Sequence, residues 1–122
     1  MNPIIYIFAT LFFTVSGQII LKWRISRLQL LLPESFSSKI LTLIKLIFDP
    51  FIFTGFVFAF IASLFWMAAM TKFEITTAYP FMSLAPALVF LVGVLFLGEA
   101  FTVGKLAGLA LIILGTIVTV KY

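Results

Sequence analysis

The residues of this chain able to do chemistry are few and mostly neutral. Thr10, Thr14 and Gln18 recur at i, i+4 and i+8, which places them on one helical face, and Gly17 beside them leaves room for close approach. Lys22 follows on that face one turn later. Further along, Thr76, Tyr79 and Ser83 are spaced three and four apart, with Pro80 among them and Pro86 just beyond. Two such stripes can meet across a polar cavity, with the Lys22 ammonium at its edge against an anionic headgroup or phosphate. The same groups also have structural uses. Hydroxyls tie membrane helices together at roughly 0.6 to 2 kcal/mol per contact, and a lysine near a helix end can snorkel to the interface. Gln18 and Tyr79 are larger, and a single backbone carbonyl satisfies them poorly.

Other chemistries are excluded by what is missing. The chain has no cysteine and no histidine, which removes thiolate or imidazole metal sites and Ser-His or Cys-His catalysis. Asp49, Glu74 and Glu99 fall at the ends of apolar runs and Glu34 in a loop. No acid therefore sits inside a bilayer, where it would be the default site of proton or cation coupling. Paired-carboxylate hydrolysis has no support either. With no side chain in a credible acid, base or nucleophile context, the expectation is not an enzyme, and neither a metal nor a cofactor is implied.

The elements that must hold these residues follow from composition. Hydrophobic residues make up 64% of the 122 and charged residues 10%, where a soluble domain is about half apolar and about a quarter charged. The mean hydropathy is +1.31. So short a chain cannot hide this surplus in a core, so lipid is its solvent. Apolar runs at 3–21, 50–70, 75–97 and 103–120 predict a single all-α membrane domain over residues 1–122, a bundle of four transmembrane helices. The first run lacks a basic n-region and exceeds an h-region in length, so it is expected to be retained.

Residues 36–48 are amphipathic: Ser38, Lys39, Thr42 and Lys45 recur at helical spacing, with Ile40, Leu43, Ile44 and Ile47 opposite. They form either a helix lying in the interface or an extension of the second span. The net charge of +4 makes no continuous stripe, so nucleic acid is not expected as a partner. Lys22, Arg24, Arg27, Lys39, Lys45 and Lys105 fall in the first and third connections, against Lys72 and Lys121 on the other side. That bias places those two connections in the cytoplasm and both termini outside.

Proline inside an apolar run removes a backbone hydrogen bond that lipid cannot replace, so Pro80 and Pro86 predict a kinked third span that faces protein or a cavity. The carbonyls one turn earlier, at Thr76 and Met82, become extra acceptors. In the fourth span Gly104 and Gly108 make a small-xxx-small pattern continued at Gly115, the best candidate for a subunit interface. Four short helices hardly enclose a path alone, which independently favours a dimer.

Together, Met1-Asn2-Pro3 with Ile5-Tyr6, then Val15, Gly17, Lys22, Trp66, Ala78-Tyr79 and Gly108-Leu109 to Gly115 resemble the four-helix branch of the drug/metabolite transporter superfamily, which contains the small multidrug resistance proteins. Those exporters carry a glutamate in span one where this chain has Thr14. Ser16-Gly17-Gln18 with Lys22, and Ala78-Tyr79-Pro80 with Ser83-Leu84, are more similar to the paired subunits proposed to flip undecaprenyl-phosphate-linked aminoarabinose. The resemblance implies a flippase that moves a polyprenyl-phosphate-linked sugar, or a related lipid, across a bacterial inner membrane. It would act as a homodimer or a heterodimer with a related four-span subunit. Thr14, Gln18, Lys22, Tyr79 and Ser83 are then the expected headgroup contacts. Two other readings stand beside it: export of organic cations or polyamines, and a non-transporting subunit that positions a glycosyltransferase.

Overall fold

The computed structural model describes residues 2–29 and 31–122. Met1, where the resemblance begins, and Leu30, in the long first connection, lie outside the described residues. The described chain forms helices α1 (Ile4–Leu28), α2 (Phe36–Ile47), α3 (Pro50–Met70), α4 (Ile75–Met82), α5 (Leu84–Phe96) and α6 (Val103–Lys121), and no strand. With α4 and α5 counted as one broken span, four helices among the described residues are long and apolar enough to cross a membrane. Helix is the form that satisfies every backbone polar group within its own segment, as hydrocarbon requires.

Helix α1 continues past the apolar run through Lys22, Trp23, Arg24 and Arg27 and stops at Gln29, whose φ of 50° is left-handed. No helix breaker occurs among those residues, and their long side chains can carry charge out to the interface while the backbone stays helical. Helix α2 is separate from α3. The interruption is written in Asp49-Pro50: proline disfavours helical backbone in the residue before it, and is itself suited to the first helical position. Asp49 is accordingly extended, with ψ 131°, and its carboxylate accepts the Phe51 and Ile52 amides, each at 3.2 Å.

The same carboxylate holds α1 to α3. Arg24 donates from Nε to Asp49 Oδ2 and from Nη2 to Oδ1, both at 3.0 Å. Its guanidinium lies 4.9 Å from the centre of the Phe51 ring, against which Trp23 also packs edge-on. The Arg24 hydrogen bond, reinforced by the two backbone amides, outweighs partial desolvation and holds the Asp49 carboxyl below its ordinary value of 3.8.

Further into the bundle α1 and α3 approach so closely that a Cβ added to Gly17 would lie 3.0 Å from the Gly55 carbonyl oxygen and 3.3 Å from Phe58 Cβ. Phe13 flanks this crossing, stacked on Phe65 at 5.7 Å and edge-on to Phe58 at 5.4 Å. At the opposite end from Arg24, the buried Ile7, Leu11, Ala69 and Ala78 form the core, with Trp66, Phe73 and Phe81 against it. This is where α4 joins the α1–α3 pair. Helix α6 packs only on α4 and α5 among the described residues, tied by Thr116, whose hydroxyl reaches the carbonyls of Pro80 at 3.2 Å and Ile112 at 2.9 Å. Large side chains such as Phe12, Leu95, Phe96 and Leu111 are exposed all round the bundle, a surface for lipid and not for water.

Candidate functional site

A cavity of about 370 Å³ opens between α1, α3 and α4, within the range of about 300 to 1,000 Å³ usual for small-molecule sites. Helix α1 contributes Thr10, Thr14 and Gln18, each a turn from the last. Helix α3 contributes Ser63 and Trp66 beside the small residues Gly55, Ala59 and Ala62, and Tyr79 and Met82 come from α4. Tyr79 and Gln18 are exposed at its rim, with the Tyr79 ring edge-on to Trp66 at a centroid distance of 6.0 Å.

The hydroxyls divide into two kinds. Thr10 donates to the Tyr6 carbonyl at 2.7 Å and Ser63 to the Ala59 carbonyl at 3.0 Å, so both return their protons to their own helices and offer only lone pairs. Thr14, Gln18 and Tyr79 make no side-chain hydrogen bond to another described residue, and with the Trp66 indole they are the donors a guest would meet. No acid or base lines the cavity. Two acids are engaged elsewhere, Asp49 by Arg24 and Glu99 by Lys22.

Of the five residues expected to contact a substrate, Thr14, Gln18 and Tyr79 converge on this cavity, while Lys22 and Ser83 are not in its lining. Lys22 lies on the surface 3.9 Å from Glu99, an exposed pair of little energetic weight that joins the end of α1 to the turn after α5. Gly98, with φ +70°, makes that turn, and the Glu99 amide closes it on the Gly93 carbonyl at 3.0 Å. Ser83 is the single residue between α4 and α5, with its amide on the Pro80 carbonyl at 3.0 Å. Pro80 lies inside α4 and Pro86 inside the first turn of α5, where it has no N–H to return to Met82. The Pro80 carbonyl also takes the Thr116 hydroxyl, so α6 is attached at the joint itself.

Gly104, Gly108 and Gly115 are turned away from all of this: a Cβ added at any of them would meet nothing within 4 Å. A cavity between spans one to three is expected from the sequence, but the residues that α3 supplies to its wall were not singled out. A search for polar stripes passes over a phenylalanine-rich helix whose contribution is mainly shape. Its signal was Gly55, Ala59 and Ala62 at i, i+4 and i+7, the small-residue spacing that lets helices close on one another.

The model of the EamA-like transporter family matches residues 1–121. No curated protein and no solved structure matches the chain. With a family match along almost its whole length and four membrane-length helices, three of which border a polar cavity, the chain belongs to the EamA-like transporter family, within the drug/metabolite transporter superfamily.

Proposed function

We propose that this transporter flips a polyprenyl-phosphate-linked sugar, or a related lipid, between the leaflets of a bacterial inner membrane. The observation that carries this reading is the neutral cavity between α1, α3 and α4, where hydrogen-bonding groups gather without a single carboxylate or cationic side chain. A cation exporter coupled to protons needs a carboxylate there, and the position at which the exporters place it is Thr14. A sugar headgroup needs hydroxyl, amide and indole partners to replace its water, and Thr14, Gln18, Tyr79 and Trp66 supply them. The hydrocarbon tail stays in lipid throughout.

Lys22, one turn beyond Gln18, can exchange its exposed carboxylate partner Glu99 for the phosphate as the headgroup arrives. Ser83 acts as the joint: a change of angle between α4 and α5 would close the cavity to one leaflet and open it to the other. The cationic end, with Lys22, Arg24, Lys39, Lys45 and Lys105, faces the cytoplasm. The open glycine face of α6 then seats a second four-span subunit, identical or related.

The test is leaflet translocation of an enzymatically accessible polyprenyl-phosphate sugar in liposomes containing the purified protein. Movement abolished by Gln18→Ala and Tyr79→Ala supports the reading. A folded protein that moves no lipid but exports an organic cation or polyamine replaces it with the exporter reading. A folded protein that does neither points to a subunit that positions a glycosyltransferase.

A further inference from the structure

The end of the bundle that carries Arg24 and Asp49 holds a second cavity, of about 390 Å³, roofed by α2 and walled by α1 and α3. Its lining is entirely apolar, with Leu21 and Ile25 from α1, Ile40, Leu43 and Ile44 from α2, and Phe56 from α3. The apolar face of α2 therefore does not close onto the helices beneath it. A slot lined only by hydrocarbon offers dispersion contacts and no hydrogen bond, so it suits an occupant made of hydrocarbon.

Two further observations say which hydrocarbon. Leu21 lines both this slot and the polar cavity, and the α1 positions Thr14, Gln18, Leu21 and Ile25 fall on one helical face, so the two spaces adjoin one another along α1 with Leu21 between them. The polar part and the apolar part match the two halves of an amphiphile. A cation also stands beside the junction along the chain: Lys22 is one residue from the shared Leu21. It suits an anionic group at the junction of head and tail.

We propose that the slot beneath α2 binds the first isoprene units of the polyprenyl chain whose phosphate-sugar headgroup enters the polar cavity. The site selects its cargo by chain as well as by head, with Leu21 at the boundary between them. The amphipathic helix is then the roof of a substrate site and not only an anchor in the interface. This inference rests on the lipid-flipping reading.

The experiment uses the full-length protein in detergent and a polyprenyl phosphate carrying a photoactivatable group on its second isoprene unit, with peptide mapping of the adducts. Adducts on residues 40–47 or on Leu21 and Ile25 are expected. Leu43→Trp and Ile44→Trp, which fill the slot, should weaken binding by about tenfold, equivalent to about 1.4 kcal/mol, while leaving the binding of a methyl phosphate sugar, which has no isoprene unit, unchanged. Mapping on the unaltered protein stands even if a tryptophan variant fails to fold. Tight binding with adducts elsewhere, or undiminished by the tryptophans, overturns the slot and leaves the flippase reading in place. Adducts in the slot that an excess of phosphatidylglycerol removes as readily as polyprenyl phosphate also overturn it, because the occupant is then an ordinary membrane lipid. A folded protein that binds no polyprenyl phosphate overturns both.

Discussion

Gly17 and Gly55 meet at the α1–α3 crossing, where an added Cβ would press on backbone, whereas Gly104, Gly108 and Gly115 look out from α6 on open space. The two groups belong to one residue type and similar small-residue spacings. Between apolar helices in lipid there is no hydrophobic drive to associate, so close packing and hydrogen bonds decide which faces meet. At the first crossing the contact is completed within the chain, and it fixes the width of the polar cavity beside it. On α6 the same kind of surface is left over, and the helix is held instead by its neighbours α4 and α5 and by one hydroxyl at the proline joint. One half of the bundle is thus a tight frame and the other a more loosely attached span, an arrangement suited to a moving part hung on a fixed one.

The largest effect that would break this contrast is at the frame. Gly17→Leu must drive α1 from the Gly55 carbonyl, and overpacking of this kind costs about 3 kcal/mol. Reversible unfolding in mixed detergent micelles should show that loss, and an unaltered transition would mean that the crossing is not the frame. The same substitution at Gly108 should leave the transition in place.

Acid should loosen the other end of the frame. Because Asp49 is held below 3.8 in the folded protein, its contribution is fully present above that value and is lost as the pH falls through the lower folded value. Thermal unfolding of the native protein should therefore weaken below about pH 4, whereas Asp49→Asn should be less stable at neutral pH and lose that part of the acid dependence. Equal acid slopes for the two proteins would show that Arg24 and Asp49 do not couple the helix ends.

At the joint, Thr116→Val removes the hydroxyl that reaches Pro80 while keeping the shape, an expected loss of about 1 kcal/mol. If α6 is the mobile span, this change should alter the translocation rate more than the unfolding midpoint. The smallest effect on the single chain is expected of Gly108→Leu, which meets open space. If the glycine face of α6 seats a second subunit, as proposed, its consequence should appear only in assembly, as loss of a chemically crosslinked dimer. A dimer that survives it would move the subunit interface away from α6.

How far the molecule was legible in advance differs between these same regions. Thr14, Gln18 and Tyr79 could be placed around a cavity because polar residues in an apolar run stand out and helical spacing puts them on one face. Ser83 could be singled out but not located: the break between α4 and α5 falls on it, and it stands outside the cavity lining. Lys22 shares the face of Gln18, yet its length lets the ammonium reach Glu99, a residue far along the chain. Trp66 and Ser63 were hidden in a helix that reads as uniformly apolar, and only the partner across Gly55 shows which side of it matters.

Composition and periodicity alone determined that this chain is helical, crosses a membrane four times and keeps its charges at the ends of its spans. Those properties follow from transferring each residue between water and hydrocarbon, and need no knowledge of neighbours. The tertiary structure alone decided which glycines are closed and which left open, that α2 stands over a slot, and that Arg24 rather than another cation claims Asp49. Such outcomes depend on where two helices cross, and the spacing along one helix carries no information about the depth of the other.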